Sequence, residues 1–288
     1  MQFLRIIFAP IRCIFEFINR HFKTLIFLLI VYFVFFGTHN ENKTNANLQE
    51  IFLQGTIMSS SEILEEIKKA KDDENIKGVL LLVDSPGGSL SPSVEIALAI
   101  KSLNETKPVL AYATGTMASG SYLSSIWAEK IYANPGSFIG SIGVIMQGFN
   151  ISELTKKVGI TDQTISAGEF KQTGTIMREW TEKEKMALQE IVNKSYDFFV
   201  SEVANARKLD INKKDEWANA RVFLGADALK VGLIDKVSNY YEARSELEKM
   251  SKVENPVWKE KSNYEKFMDS LSKQSTKMMM DLLTPRIM

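Results

Sequence analysis

The sequence predicts an α/β domain built on a parallel sheet. Two observations carry this. Short continuous apolar runs, Val79–Val83 and Val109–Ala113, suit strands buried on both faces. Helical patterns fall between them, which gives βαβ units with right-handed crossovers. A third observation sets the scale. The chain has 288 residues, 45% hydrophobic and 24% charged, enough to bury a sizeable core.

The elements follow in order. Phe3–Phe17 is apolar but carries Arg5, Arg12 and Glu16, a pattern for an interfacial helix. Thr24–Phe36 reads TLIFLLIVYFVFF without a charge. It covers ~20 Å of a ~30 Å hydrocarbon core, and Phe22 with a snorkelling Lys23 lengthens it. Residues 24–38 are therefore expected to anchor the chain in a membrane, behind a basic segment 1–23. Arg5, Arg12, Arg20 and Lys23 all precede the apolar run, which places the N-terminus in the cytoplasm and everything after Thr38 outside it. No small-x-small cleavage site follows Phe36, against a cleaved signal peptide. A buried core helix is the other alternative. Polar residues 39–47 read as a linker.

Leu48–Leu53 opens the main domain, 48–240, as a strand. Ser59 to Glu62 is spaced as a capping box before a helix Ile63–Lys71. After the strand Val79–Val83 come a helix Val94–Leu103, a strand Val109–Ala113, a small-residue turn carrying Ser119, a helix Tyr122–Ala128 and a strand Ile131–Ala133. Gly136–Gly143 reads as a loop, Ile151–Val158 as a helix, and the stretch before Ser166 as a strand pattern. Thr181 and Glu184 form a second capping box, opening a helix to about Arg207. In the extension 241–288, Phe267, Met268, Leu271, Met278, Met279 and Leu282 mark a Met-rich amphipathic helix suited to packing or subunit contact.

Composition excludes several function classes. With 35 basic and 35 acidic residues, no global field argues for nucleic acid. Cys13 is the one cysteine, so neither a disulfide framework nor a Cys-rich metal site exists. No metal or organic cofactor is implied. The two histidines, His21 and His39, both flank the apolar segment, so a nucleophilic serine in the domain would need another base.

Four pieces fall where ligand sites of open α/β sheets sit, after strands or at helix starts. Asp84-Ser-Pro-Gly-Gly-Ser89 can turn sharply and present the Gly88 N–H. Ser119, followed by the N–H of Gly120, lies at a helix start, where a developing oxyanion could be stabilised. In isolation a serine at a helix start is usually just an N-cap. Ser166-Ala-Gly-Glu-Phe-Lys171 supplies a lysine. A lysine base must be neutral near pH 7, which takes its pKa from about 10.4 to about 7 at a cost of roughly 4.6 kcal/mol, and burial can supply this. Gly140-Ser-Ile-Gly143 supplies Ser141, a turn serine that could orient a neutral amine.

Together and in this order, the pieces resemble the signal peptide peptidase A family, membrane-anchored Ser–Lys peptidases on the ClpP/crotonase-like fold. The resemblance runs from about Leu48 to Val237 and includes Val83–Gly88, Met117–Gly120, Gly140–Val144, Ser166–Lys171 and Arg221–Asp235. It implies Ser119 as nucleophile, Lys171 as general base, Gly88 and Gly120 as oxyanion donors, and Ser141 as a serine assisting the lysine. Ser121 stands where a second glycine is expected, which implies a bulkier site mouth. The resemblance further implies a ring-shaped homo-oligomer with serine and lysine from adjacent subunits. It implies remnant signal peptides and other short apolar peptides as substrates, and the cytoplasmic (inner) membrane as the location. A crotonase-like acyl-CoA enzyme, which also holds an oxyanion with two N–H groups, and a non-catalytic membrane scaffold are the alternative readings.

Overall fold

The computed structural model describes residues 17–32 and 45–259. Residues 17–32 are helical (α1). No helix among the described residues is long and apolar enough to cross a membrane. The end of the expected anchor, nearly all of the interfacial segment and the Met-rich helix lie outside the described residues.

Residues Ala46–Trp258 form one compact unit. Its sheet runs β1(Leu48–Gln54), β2(Gly78–Ser85), β3(Val109–Ala118), β4(Lys130–Ala133), β7(Lys236–Val237), all parallel. β2 and the first half of β3 are buried on both faces, which is why Val79–Val83 and Val109–Ala113 are unbroken apolar runs. Along β2 and β3 alternate residues part. Leu81, Val83, Ala111 and Ala113 join the larger core under the helices, and Leu80, Leu82, Leu110 and Tyr112 pack with Ala243 and Leu247 of α9(Tyr240–Met250) on the other face. Because α9 covers that second face, the compact unit continues past residue 240, where the sequence reading ends the domain.

β3 divides near its middle. Its first half pairs with β4, and its last residues Thr116–Ala118 pair with β5(Phe138–Gly140). β5 in turn takes antiparallel β6(Val222–Leu224). At the division the register with β2 slips, from Val83↔Ala113 to Ser85↔Met117. The Asp84 carboxylate fills the bulge. Its Oδ1 accepts from Thr116 N at 2.9 Å, and a Cβ on Gly115 would stand 2.4 Å from that same oxygen. Bulges of this kind bend a strand and re-aim its end, and here the re-aimed end is Ser119.

On the larger-core face lie α2(Ser61–Asp72), α3(Leu90–Asn104), α4(Gly120–Ser125) and α6(Glu182–Arg207), the last after a short α5(Ser152–Lys157). Gly120, Ser121, Ser124 and Ser125 are all buried, and small side chains let α4 pack close to α3. Ser124 Oγ donates to Gly120 O (2.9 Å) or to Ser93 O (3.1 Å). The Arg221–Asp235 stretch folds as β6, α8(Gly225–Lys230) and a turn whose Leu233 carbonyl accepts the buried Tyr122 hydroxyl at 2.7 Å.

Several elements differ from the sequence reading, each for a local reason. Gly136–Gly143 is not a plain loop, because Phe138–Gly140 pairs on both sides as β5. β3 runs five residues beyond Ala113, so Ser119 leaves a strand end rather than a turn. α4 starts at Gly120, two residues earlier than read, and ends at Ser125. Ser59 does not cap α2. The N-cap is Ser60, in αR conformation without a side-chain bond, while Ser59 Oγ accepts from Ser61 N and donates to Ser61 Oγ. The stretch before Ser166 pairs with no strand and is irregular. The Thr181–Glu184 box forms as read, from both sides.

Candidate active site

The site is built around Ser119. Its backbone stands at φ 54°, ψ −127°, a conformation sparsely populated by non-glycine residues. The surroundings hold it there. Ser119 N donates to Gly140 O at 2.7 Å, and Leu123 N of α4 donates back to Ser119 O at 3.0 Å. Ser119 is half-buried, and its hydroxyl caps no helix N–H. The isolated-cap reading of this serine is thereby set aside.

The glycine turn lies directly against it. Ile57 clamps the turn as an extra strand position, with Ile57 N donating to Gly87 O at 2.9 Å and Ser89 N to Ile57 O at 2.8 Å. The Gly88 N–H between them is left unbonded among the described residues, as is the Gly120 N–H at the start of α4. The two donors are neighbours, since a Cβ on Gly120 would lie 3.2 Å from Gly88 N. Gly87, which the sequence reading did not single out, explains the tandem glycine. Its φ is +93°, and a Cβ there would come within 2.5 Å of Gly120 N and 2.8 Å of the Ser119 Cβ. A six-residue helix has little dipole to offer. What α4 contributes is one aimed N–H.

Ser141 follows Gly140 and lies one position beyond the residue that bonds Ser119. It too has positive φ, 49°, and its N–H donates to Arg221 O at 2.7 Å. Ser119, Ser141, Gly88 and Gly120 are thus gathered at the C-terminal end of β3. Ser121 is not at the mouth. It is fully buried, its Oγ donates to Ser85 O at 2.6 Å and accepts from Ala118 N at 2.9 Å. The hydroxyl braces β2 to the end of β3, so the expected bulkier mouth does not arise from this residue.

Lys171 lies apart from this group. It is exposed on a turn over residues 169–174, with its N–H bonded to Gly168 O at 3.2 Å. Among the described residues no hydrogen bond or ion pair joins it to Ser119 or Ser141. The arm that carries it, 144–176, exposes Ile145, Phe149, Leu154, Ile165 and Phe170.

Comparison with known proteins shows the family of the chain. A model of peptidase family S49 matches residues 101–254, more than half of the chain. The chain belongs to peptidase family S49, that of the signal peptide peptidases A. Among its relatives is "Putative protease MJ0651" of Methanocaldococcus jannaschii, 41% identical over 194 residues, 67% of this chain and 61% of that protein. "Putative signal peptide peptidase SppA" of Enterococcus faecium is 34% identical, over 75% of this chain and 67% of that one. "Serine protease SPPA, chloroplastic" of Arabidopsis thaliana is 32% identical, over 66% of this chain but 28% of its own length. This S49 chain thus spans about two thirds or less of these relatives.

Proposed function

We propose that this S49 peptidase is a membrane-anchored serine endopeptidase with a Ser119–Lys171 dyad, acting on remnant signal peptides and other short apolar peptides. The observation that carries the reading is Ser119, held at positive φ on a strand end beside two unbonded N–H groups. Strained backbone of this kind persists where surrounding structure over-determines it, and it clusters at reactive centres.

The chemistry follows from the residues. Ser119 Oγ attacks the scissile carbonyl carbon and its proton passes to the neutral Lys171 amine. The carbonyl oxygen becomes an oxyanion held by the Gly88 and Gly120 N–H groups. The lysine then gives its proton to the leaving amine, and the C–N bond breaks to leave an acyl-Ser119 ester. Water, deprotonated by the same lysine, hydrolyses the ester and returns the serine. Ser141 orients the lysine amine.

A base must lie within hydrogen-bond reach of the proton it takes. In the single chain Lys171 is exposed and bonds neither Ser119 nor Ser141. We therefore read the site as shared, Ser119 from one subunit and Lys171 from the next in a ring. The arm 144–176 supports this, because large apolar side chains such as Ile145, Phe149, Leu154, Ile165 and Phe170, exposed on one segment, are what an interaction face supplies. Anchoring is supported by α1, where Phe22, Phe27, Leu28, Leu29 and Ile30 are all more than half exposed to solvent. With Arg5 and Arg12 before it and Arg20 and Lys23 in its first two turns, that helix faces the cytoplasm at its start, and the peptidase domain lies on the other side of the cytoplasmic (inner) membrane.

The test is covalent labelling with a fluorophosphonate together with peptide hydrolysis. Wild type is expected to label and to cleave an apolar peptide. Ser119→Ala is expected to lose both, and Lys171→Ala to lose turnover with fold and assembly retained. Labelling that survives Ser119→Ala, or near-wild-type turnover in Lys171→Ala, would overturn the dyad.

A further inference from the structure

The turn that carries Lys171 is framed by side chains from the segment that leads into α6 and from the first turn of that helix. Lys183 Nζ pairs with Glu169 at 2.6 Å, Arg178 Nη2 reaches Gln172 Oε1 at 3.4 Å, and Trp180 Nε1 donates to Thr175 O at 2.8 Å. These three contacts bracket Lys171 on both sides. The Trp180 ring also lies on the arm, where a Cβ on Gly148 would come within 2.3 Å of it.

Behind the frame is an ion pair of unusual placement. Glu184, at the third position of α6, is 2% exposed. Both its oxygens accept from Arg178, each at 2.8 Å, and Oε2 also accepts from Thr181 N at 2.8 Å. A capping box needs only the threonine and the glutamate. The arginine is additional, and the second N–H of Nη1 goes to Glu179 O at 3.0 Å and that of Nη2 to Gln172. A planar fork of donors can hold a carboxylate bidentately and still reach a second acceptor, which an ammonium cannot do. The Glu184 side chain is buried and that of Arg178 is 38% exposed, so the pair adds little net stability, and what a bidentate pair of this kind supplies is one fixed arrangement.

We propose that Arg178, locked by Glu184, is a positioning residue for Lys171, fixing the turn through Gln172 so that the amine is presented at one place and angle. The inference rests on the Ser–Lys reading above. It gives Arg178 no contact with substrate. Its effect runs through the lysine, and therefore falls on proton transfer rather than on binding.

The experiment measures steady-state hydrolysis of a quenched apolar peptide across pH by the full-length assembled protein. Arg178→Gln, Glu184→Gln, Arg178→Lys and Gln172→Ala are compared, each normalised to active sites titrated at Ser119. Arg178→Gln and Glu184→Gln are expected to lower kcat ~10- to 100-fold with KM within ~2-fold, and to displace the acid limb of kcat/KM. Arg178→Lys keeps the charge but not the fork, and is expected to restore only part of kcat. Gln172→Ala, at a half-buried position of the turn, tests the same link without touching the ion pair and is expected to lower kcat ~3-fold. Wild-type kcat and pH profile per titrated site in Gln172→Ala and in either folded ion-pair variant would overturn the proposal, as would a loss explained wholly by a smaller folded fraction. Lys171→Ala separates the two ideas. If it is active, the dyad reading falls and the positioning role with it. If it is inactive while the positioning variants run at wild-type rates, only the positioning role falls.

Discussion

At the scale of single residues, the site depends on where side chains are missing as much as on where they are present. Gly87 is hemmed in on three sides, with the backbone atoms Gly120 N and Ala118 O and the side-chain Cβ of Ser119 all inside the space a methyl group would take. Gly87→Ala also places a Cβ on a residue at φ +93°, so the cost is both strain and collision. Turnover is expected to fall by about two orders of magnitude or more, because the displaced atoms belong to the proposed nucleophile and a proposed oxyanion donor. The check is kcat alongside a melting curve; a folded Gly87→Ala protein with wild-type turnover would contradict the assembly described. Ser121 behaves oppositely. Its hydroxyl ties Ser85 O to Ala118 N in a fully buried seam. Ser121→Ala is expected to cost about 1–3 kcal/mol in denaturant unfolding, the usual penalty for orphaned buried groups. Preference among peptide substrates should not change, since the side chain never reaches the mouth.

Among the elements, α6 carries the clearest titratable feature. The Arg178 guanidinium and the Thr181 N–H hold the Glu184 carboxyl down at about 2, against an ordinary value of 4.5. A carboxyl depressed on folding contributes stability that is fully present above its unfolded pKa and is lost as pH falls through the folded one. Wild-type stability is therefore expected to decline between about pH 4.5 and about 2, and Glu184→Gln to lack that part of the decline. Urea unfolding at a series of pH values checks it, and parallel curves for the two proteins would contradict the pairing. This element was legible in the sequence because its signal is local: threonine, then glutamate three residues on, before a helical pattern. The double-buried strands β2 and β3 were legible for the same reason. What was not legible is what depends on long-range pairing. β5 is three residues long and is a strand only because Ala118 and Val222 lie on either side of Gly140. The extension of β3 past Ala113 needs the Asp84-filled bulge, and no periodicity announces a slip of register. Ser59 and Glu62 have box spacing, yet the chain enters α2 through Ser60 in αR, and spacing alone cannot report that backbone.

On the scale of the whole molecule, the candidate residues divide between two places. Ser119, Ser141, Gly88 and Gly120 converge from β2, β3, β5 and α4, and their order along the sequence was enough to single them out. Lys171 stands on the exposed arm, and the partner it needs lies outside the single chain in the proposed ring. The most direct measurement mixes two inactive proteins, Ser119→Ala and Lys171→Ala, by denaturing them together and reassembling. Shared sites pair an intact Ser119 with an intact Lys171 at some interfaces, so peptide hydrolysis is expected to return in part. Mixed rings shown by mass spectrometry to have formed, yet with no hydrolysis, would contradict the shared dyad.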